Sequence, residues 1–316
     1  MDLPTPDAPL KIGTRGSPLA LAQANETRDR LARAFTLPSE AFTIVVIKTT
    51  GDRVLDRPLK EIGGKGLFTK EIEEAMLAGD IDIAVHSMKD MPVEQPAGLL
   101  LDTYLPREDP RDAFVTLDGQ AFADLPEGRI VGTSSLRRRA QLLHRRPDLQ
   151  VVEFRGNVQT RLRKLEDGVA HATFLAIAGL NRLRVDAEVP HAPVADDDML
   201  PAIAQGAIGV ERRADDDRAG AMLSEIHDRE TGQRLAAERA LLARLDGSCE
   251  TPIAGLATLD GDHLTLRGEI LRTDGSEALA DTITGAVADG PDLGRRLADS
   301  LLGRAGPDFF DWRAQA

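Results

Sequence analysis

A single cysteine, Cys249, stands in 316 residues. No disulfide can form within the chain, and zinc sites built on two to four thiolates are excluded. Aromatic residues make up 3% of the sequence, so the cores must be packed from Leu, Ile, Val and Ala, and rings on which nucleic-acid bases could stack are scarce. No apolar run approaches the roughly 18 residues of a membrane span. The opening MDLPTPDAPLKIG lacks an apolar stretch of signal-peptide length. With the lone thiol, this places the protein in a reducing, cytoplasmic compartment, with no membrane partner. Positive charge is also short: the formal net charge is -13, which argues against nucleic acid as a partner, because that binding draws on a positive field. Two phosphate motifs are missing as well. GGKGLF around Lys65 lacks the spacing of a phosphate-binding loop, and no dinucleotide fingerprint occurs.

What the chain does have is a repeated short apolar β run, polar loop and helix. LKIGTRGSPLALAQ opens with a strand, turns through Thr14, Arg15 and Gly16, and predicts a helix with Ser17 as N-cap and Pro18 as its first residue. FTIVVIKTTGD reads as a second strand, and RPLKEIGGKGLF as a mobile glycine-rich loop. TKEIEEAMLAG predicts a helix ending at Gly79, and IDIAVHSMKDMP a strand from which His86 to Asp90 emerge. GRIVGTSSLRRRAQLLHRR, LQVVEFRGNVQTRLRKLEDG and ATFLAIAGLNRL repeat the pattern. Such alternation implies an α/β architecture with largely parallel sheets and a ligand crevice at the strands' carboxyl ends.

The charged, proline-containing stretches at 104–114 and 196–217 read as crossings between two lobes, one inserted in the other. After Asp217 the texture changes. RETGQRLAAERALLARLDG predicts one amphipathic helix with Leu235, Leu241, Leu242 and Leu245 on its apolar side, and the segment after it reads as two or three antiparallel strands with Asp-Gly turns. The expected domains are 1–105 with 201–223, then 106–200, then 224–316.

Cations and hydroxyls gather at the strand-end loops: Arg15, Ser17, Lys65, Ser87, Lys89, Thr133 to Arg138, Arg155, Arg161 and Arg182. One arginine alone reads as a surface or structural ion-pair residue. Several at equivalent positions point to a small ligand rich in carboxylate or phosphate. Asp90 is an acid among these bases, placed to hold N–H donors or a developing cation, or else to pair with a nearby arginine. His86 reads as a hydrogen-bonded structural residue ahead of a general base.

GTRGSPLALAQ, GGKGLFTKE, DIAVHSMKDMP, PRDAFV, GTSSLRRRAQL, RGNVQTRLRKL, AGLNRL, LPAIAQGAIGVE and AERALLARLDGSCETPIAG occur in this order between residue 13 and about 255. In these segments the chain resembles the porphobilinogen deaminase family. The resemblance implies two periplasmic-binding-protein-like α/β lobes joined by two crossovers, plus a small α+β C-terminal domain with an antiparallel sheet. It implies a transferase of tetrapyrrole biosynthesis. Cys249 would hold a dipyrromethane cofactor through a thioether, and four porphobilinogen units would be added with loss of ammonia before water releases linear hydroxymethylbilane. On the same ground Asp90 would be catalytic. The cofactor would be held by Asp90, Lys89, Ser87, Thr133, Ser135, Arg137, Arg138, Gly156 and Arg161, and the substrate by Arg15, Ser17, Gln23, Lys65, Arg155, Arg182 and Gln205. The glycine-rich loop would act as a lid, the protein would be a monomer, and its product would be handed to uroporphyrinogen III synthase. Ser248 departs from the glycine frequent in the family before the cysteine. Two other readings compete: a bilobal anion-binding receptor, which explains the arginines but not Cys249 or Asp90, and a nucleic-acid binder built on LRRRAQLLHRR, which the acidic balance opposes.

Overall fold

The computed structural model describes residues 2–53, 69–245, 247, 251–306 and 308–309. The chain runs through β1 (Leu10–Thr14), α1 (Pro18–Phe35), β2 (Phe42–Val46), α2 (Thr50–Arg53), α3 (Lys70–Leu77), β3 (Ile83–Ser87) and β4 (Leu99–Tyr104). It continues through β5 (Asp112–Thr116), β6 (Ile130–Gly132), α4 (Leu136–Arg145), β7 (Gln150–Val152), α5 (Val158–Glu166), β8 (Ala172–Ala176), α6 (Ile177–Leu183) and β9 (His191–Pro193). Then come β10 (Ile208–Arg213), α7 (Asp217–Ser224), α8 (Arg229–Arg244), β11 (Ile253–Asp260), β12 (His263–Leu271), β13 (Ala278–Ala286) and α9 (Gly290–Arg304).

The described residues form three sheets, with orders β2-β1-β3-β10-β4, β7-β6-β8-β5-β9 and β11-β12-β13. The first two share one plan: β1, β2 and β3 are mutually parallel like β6, β7 and β8. One strand in each breaks the expected parallel run. β10 is antiparallel to β3 and β4, and β5 is antiparallel to β8 and β9. Neither is reached through a helix returning to the same sheet, so the right-handed β-helix-β connection that enforces parallel pairing does not constrain it.

By its contacts the chain divides into two compact units, residues 1–108 with 207–232 and residues 109–206 with 233–316. In the first, β3 is buried on both sides: Ile83 and Val85 join the core under α1, and Ala84 joins Ile72 and Met76 of α3. α1 starts as expected. Ser17 Oγ accepts the Ala20 N–H at 3.2 Å, Pro18 follows, and Gln23, Ala24, Thr27 and Leu31 face inward. In the second unit, separate apolar clusters cover the two faces of the central sheet.

The C-terminal antiparallel sheet belongs to the second unit. Leu235, Leu241, Leu242 and Leu245 of the predicted amphipathic segment are all buried. The β11–β12 turn is shifted by one residue from the expected Asp-Gly: Asp260 pairs with His263, so Gly261 and Asp262 form the loop, and Gly261 takes the left-handed φ of 55°. The far end of α4 docks on this sheet, where His144 Nδ1 lies 3.0 Å from Gly275 O and Arg145 pairs with the buried Glu269 at 3.2 Å. Glu238 of α8 adds a second tie, accepting the N–H groups of Ala204 at 2.7 Å and Ala257 at 2.8 Å.

Candidate active site

In the first unit the candidate residues come from three places: the loop after β1, the start of α1 and the 3₁₀ turn Met88–Asp90 that ends β3. β1 and β3 are parallel neighbours, so their carboxyl ends open together. Arg15, Ser17, Gln23, Ser87 and Asp90 line one cavity of about 80 Å³, with Thr69 and His86 in its wall. Gln23 Nε2 donates to Ser87 Oγ at 2.8 Å, joining α1 to the end of β3. Lys89 stands beside Asp90 in the same turn. His86 lies inside β3 rather than after it, and its Nε2 is 3.1 Å from Glu211 Oε2. A larger cleft of about 300 Å³, lined by Arg30, Arg33, Glu225, His227 and Asp228 among others, contains none of the predicted residues.

In the second unit the cations converge on one carboxylate. Asp112 begins β5 and is fully buried. Its Oδ2 accepts Arg137 Nη2 at 2.7 Å, and its Oδ1 accepts Arg138 Nη2 at 2.7 Å and Gln205 Nε2 at 2.9 Å. Burial alone would raise the Asp112 pKa, but the charges of Arg137 and Arg138 and their hydrogen bonds outweigh it and hold the carboxyl well below the usual range. Arg138 Nη1 and Arg161 Nη1 both donate to Phe174 O, at 2.9 and 3.3 Å, so a third guanidinium adjoins the pair. Burial, followed by the charge of Arg138, pushes the Arg161 pKa down to about 10. Arg137 and Arg138 thus share Asp112, Arg161 adjoins them through Phe174 O, and the charges of Glu269 and Glu153 act on Arg137 and Arg161 from farther off.

The helix starts complete this half. Ser135 caps α4, accepting the Arg138 N–H at 3.4 Å, and the Thr133 hydroxyl accepts the Ser135 N–H at 3.2 Å. Gly156 has φ +124°, and a Cβ there would lie 2.6 Å from Thr160 Cγ2, so the turn into α5 requires glycine. Its carbonyl accepts Arg161 Nε at 2.9 Å. Arg155 pairs with Glu153 at 3.1 Å, and Arg182 donates to Gly206 O at 3.0 Å. Gln205, besides holding Asp112, donates to Pro110 O at 2.6 Å.

Lys65 with its glycine-rich loop, and Cys249 with Ser248, lie outside the described residues. Their flanks are placed: the Leu245 N–H closes α8 on Leu241 O at 3.0 Å, and Thr251 precedes β11. Asp112 was not anticipated from sequence, although an acid opening the apolar run DAFVT was a visible signal. No group of three or more metal-ligating side chains occurs among the described residues, and no described helix is long and apolar enough to cross a membrane.

Residues 10–221 match the family model "Porphobilinogen deaminase, dipyromethane cofactor binding domain", and residues 233–303 match "Porphobilinogen deaminase, C-terminal domain". The chain is 67% identical over 310 residues to a porphobilinogen deaminase of Paracoccus denitrificans, covering 98% of this chain and 99% of that one. It is 53% identical to a chloroplastic porphobilinogen deaminase of Pisum sativum, covering 96% and 83% of the two chains. A relative of the same name from Nitrobacter hamburgensis is 54% identical, with 95% and 94% covered.

Proposed function

Because the chain belongs to the porphobilinogen deaminase family, we propose how its own side chains carry out that family's reaction. The protein is a transferase of tetrapyrrole biosynthesis, a hydroxymethylbilane synthase that condenses porphobilinogen stepwise with loss of ammonia and uses a dipyrromethane cofactor. When bound, the cofactor supplies the pyrrole end to which each new unit is joined. The residues present fit it. Each pyrrole carries an acetate and a propionate, and Arg137, Arg138 and Arg161 bring three guanidinium groups together beside Asp112.

The roles follow from the chemistry. Cys249 would carry the cofactor as a thioether. Arg137, Arg138 and Arg161, with Ser135, Thr133 and the turn at Gly156, would hold its carboxylates, with Lys89 and Ser87 assisting. Arg15, Ser17, Gln23, Arg155, Arg182, Gln205 and Lys65 would bind the incoming substrate. Asp90 would hold pyrrole N–H groups and stabilise positive charge that develops only during reaction, where a preorganised carboxylate acts on the rate. The observation that carries this reading is the convergence of Arg137, Arg138 and Arg161 beside Asp112, which suits a ligand with several carboxylates. The separate sheets support three domains, 1–105 with 201–223, 106–200 and 224–316. We further place the protein in the cytoplasm as a monomer that hands its product to uroporphyrinogen III synthase.

The test is the intact mass of the purified protein beside its Cys249→Ala variant. The expected result is a mass excess equal to one dipyrromethane in the wild type and none in the variant. A wild type that stays at its sequence mass after incubation with porphobilinogen would refute the thioether assignment.

A further inference from the structure

Behind the cavity that holds Asp90, the sheet carries ionisable groups to which the roles above give no task. In the register of β3 and β10, His86 lies opposite Gly209 and Ala84 opposite Glu211. His86 and Glu211 are therefore diagonal neighbours on one face of the sheet, the face where Ala84 meets α3. Their side chains are 5% and 0% exposed, and His86 Nε2 is 3.1 Å from Glu211 Oε2. The second oxygen of Glu211 is buried and has no hydrogen-bond partner among the described residues. A bare carboxylate in such a place is costly. From α3, Glu73 acts on the same pair: burial raises its pKa first, Thr69 opposes this, Glu211 adds to it and His86 opposes it. A purely structural histidine needs no access to a ligand, yet His86 forms part of the cavity wall with Arg15, Ser17 and Asp90.

We propose that His86 is the proton carrier of the condensation, oriented by Glu211 and backed by Glu73. The proposal rests on the reading of the Asp90 cavity as the site of reaction. In each addition the carbon–nitrogen bond of porphobilinogen breaks and the nitrogen keeps the electron pair. A carbon–carbon bond forms to the acceptor pyrrole, whose carbon then gives up its proton while the C–H electrons return to the ring. The protonated aminomethyl group has by then left as neutral ammonia and needs no further proton, so the imidazole takes the proton of the acceptor carbon and releases it to the solvent before the next addition. No electron is gained or lost overall. A carboxylate behind the imidazole suits this task because it fixes the ring's orientation and stabilises the protonated form between the two transfers.

The test compares wild type, His86→Gln and Glu211→Gln as cofactor-loaded proteins, with loading checked by intact mass. For His86→Gln the expected result is a fall in kcat of about 100-fold or more, an unchanged KM for porphobilinogen and loss of the acid limb of the pH–kcat profile. Glu211→Gln keeps the side-chain shape and removes the charge behind the ring, so its acid limb should move to lower pH. A lowered melting temperature in both variants with kcat and pH profile unchanged at 25 °C would reduce the pair to a structural role and overturn the proposal. If neither variant folds, the wild-type His86 ring is titrated by NMR. A ring that never changes protonation between pH 5.5 and 9 overturns it equally. A wild type that releases no ammonia from porphobilinogen would defeat the underlying site reading instead.

Discussion

Asp112→Asn is the substitution that most directly tests the cation cluster. It preserves size and one acceptor oxygen but deletes the negative charge with which both Arg137 and Arg138 pair, each less than 10% exposed. Removing one partner of a buried ion pair costs about 3–5 kcal/mol, and two cations depend on this one. At about 2–4 °C per kcal/mol for a unit of this size, the melting temperature should fall by roughly 6–20 °C. The informative comparison is between two backgrounds, the cofactor-loaded protein and Cys249→Ala, which has no thiol for a thioether. In the loaded protein the pyrrole carboxylates supply replacement anions, so the loss there should be markedly smaller. Calorimetry on the four proteins measures it. An equal loss in both backgrounds would mean that these arginines serve the fold alone. The pH dependence has a definite sign. The folded pKa of Asp112 is depressed, so its contribution is complete above the unfolded value near 3.9 and is lost as pH falls through the lower folded value. The stability gap between wild type and Asp112→Asn should therefore narrow only in acid.

Two further substitutions separate chemistry from scaffold. Asp90→Ala should reduce turnover by at least about 100-fold while moving the melting temperature little, since its side chain is partly exposed in a surface turn; early melting with a retained rate would refute its assignment. Gly156→Ala meets both a positive φ and a 2.6 Å contact with Thr160, so thermal denaturation should show a loss of about 1–3 kcal/mol, and the KM for porphobilinogen should rise as the carbonyl holding Arg161 shifts.

Local signals were legible where local forces decide. Ser17 and Pro18 start α1, and Gly79 with φ +79° follows α3, each from chemistry within a few residues. The alternation of strand and helix was enough to yield the α/β class. Long-range meetings were not legible. Asp112 reaches Arg137 and Arg138 only because β5 enters its sheet against β8, and His86 meets Glu211 across 125 residues of sequence. Strand direction carries no mark in apolar content, which is why the reversed β5 and β10 were missed. The Gly-Asp turn was misplaced by one residue because Asp-Gly-Asp allows either register, and pairing with β12 decides between them.

The reversed strands also order the birth of the molecule. The sheet β7-β6-β8-β5-β9 is complete within residues 112–193, but β2-β1-β3-β10-β4 waits for a strand that ends at Arg213. During synthesis the N-terminal half of the first unit leaves the ribosome with β3 and β4 lacking the strand that belongs between them, and exposed edges of that kind invite pairing with other chains. The second sheet can close while the first is still open. A fragment ending before residue 208 would retain this gap permanently, so the first unit is the part of the chain that most needs protection until translation passes β10.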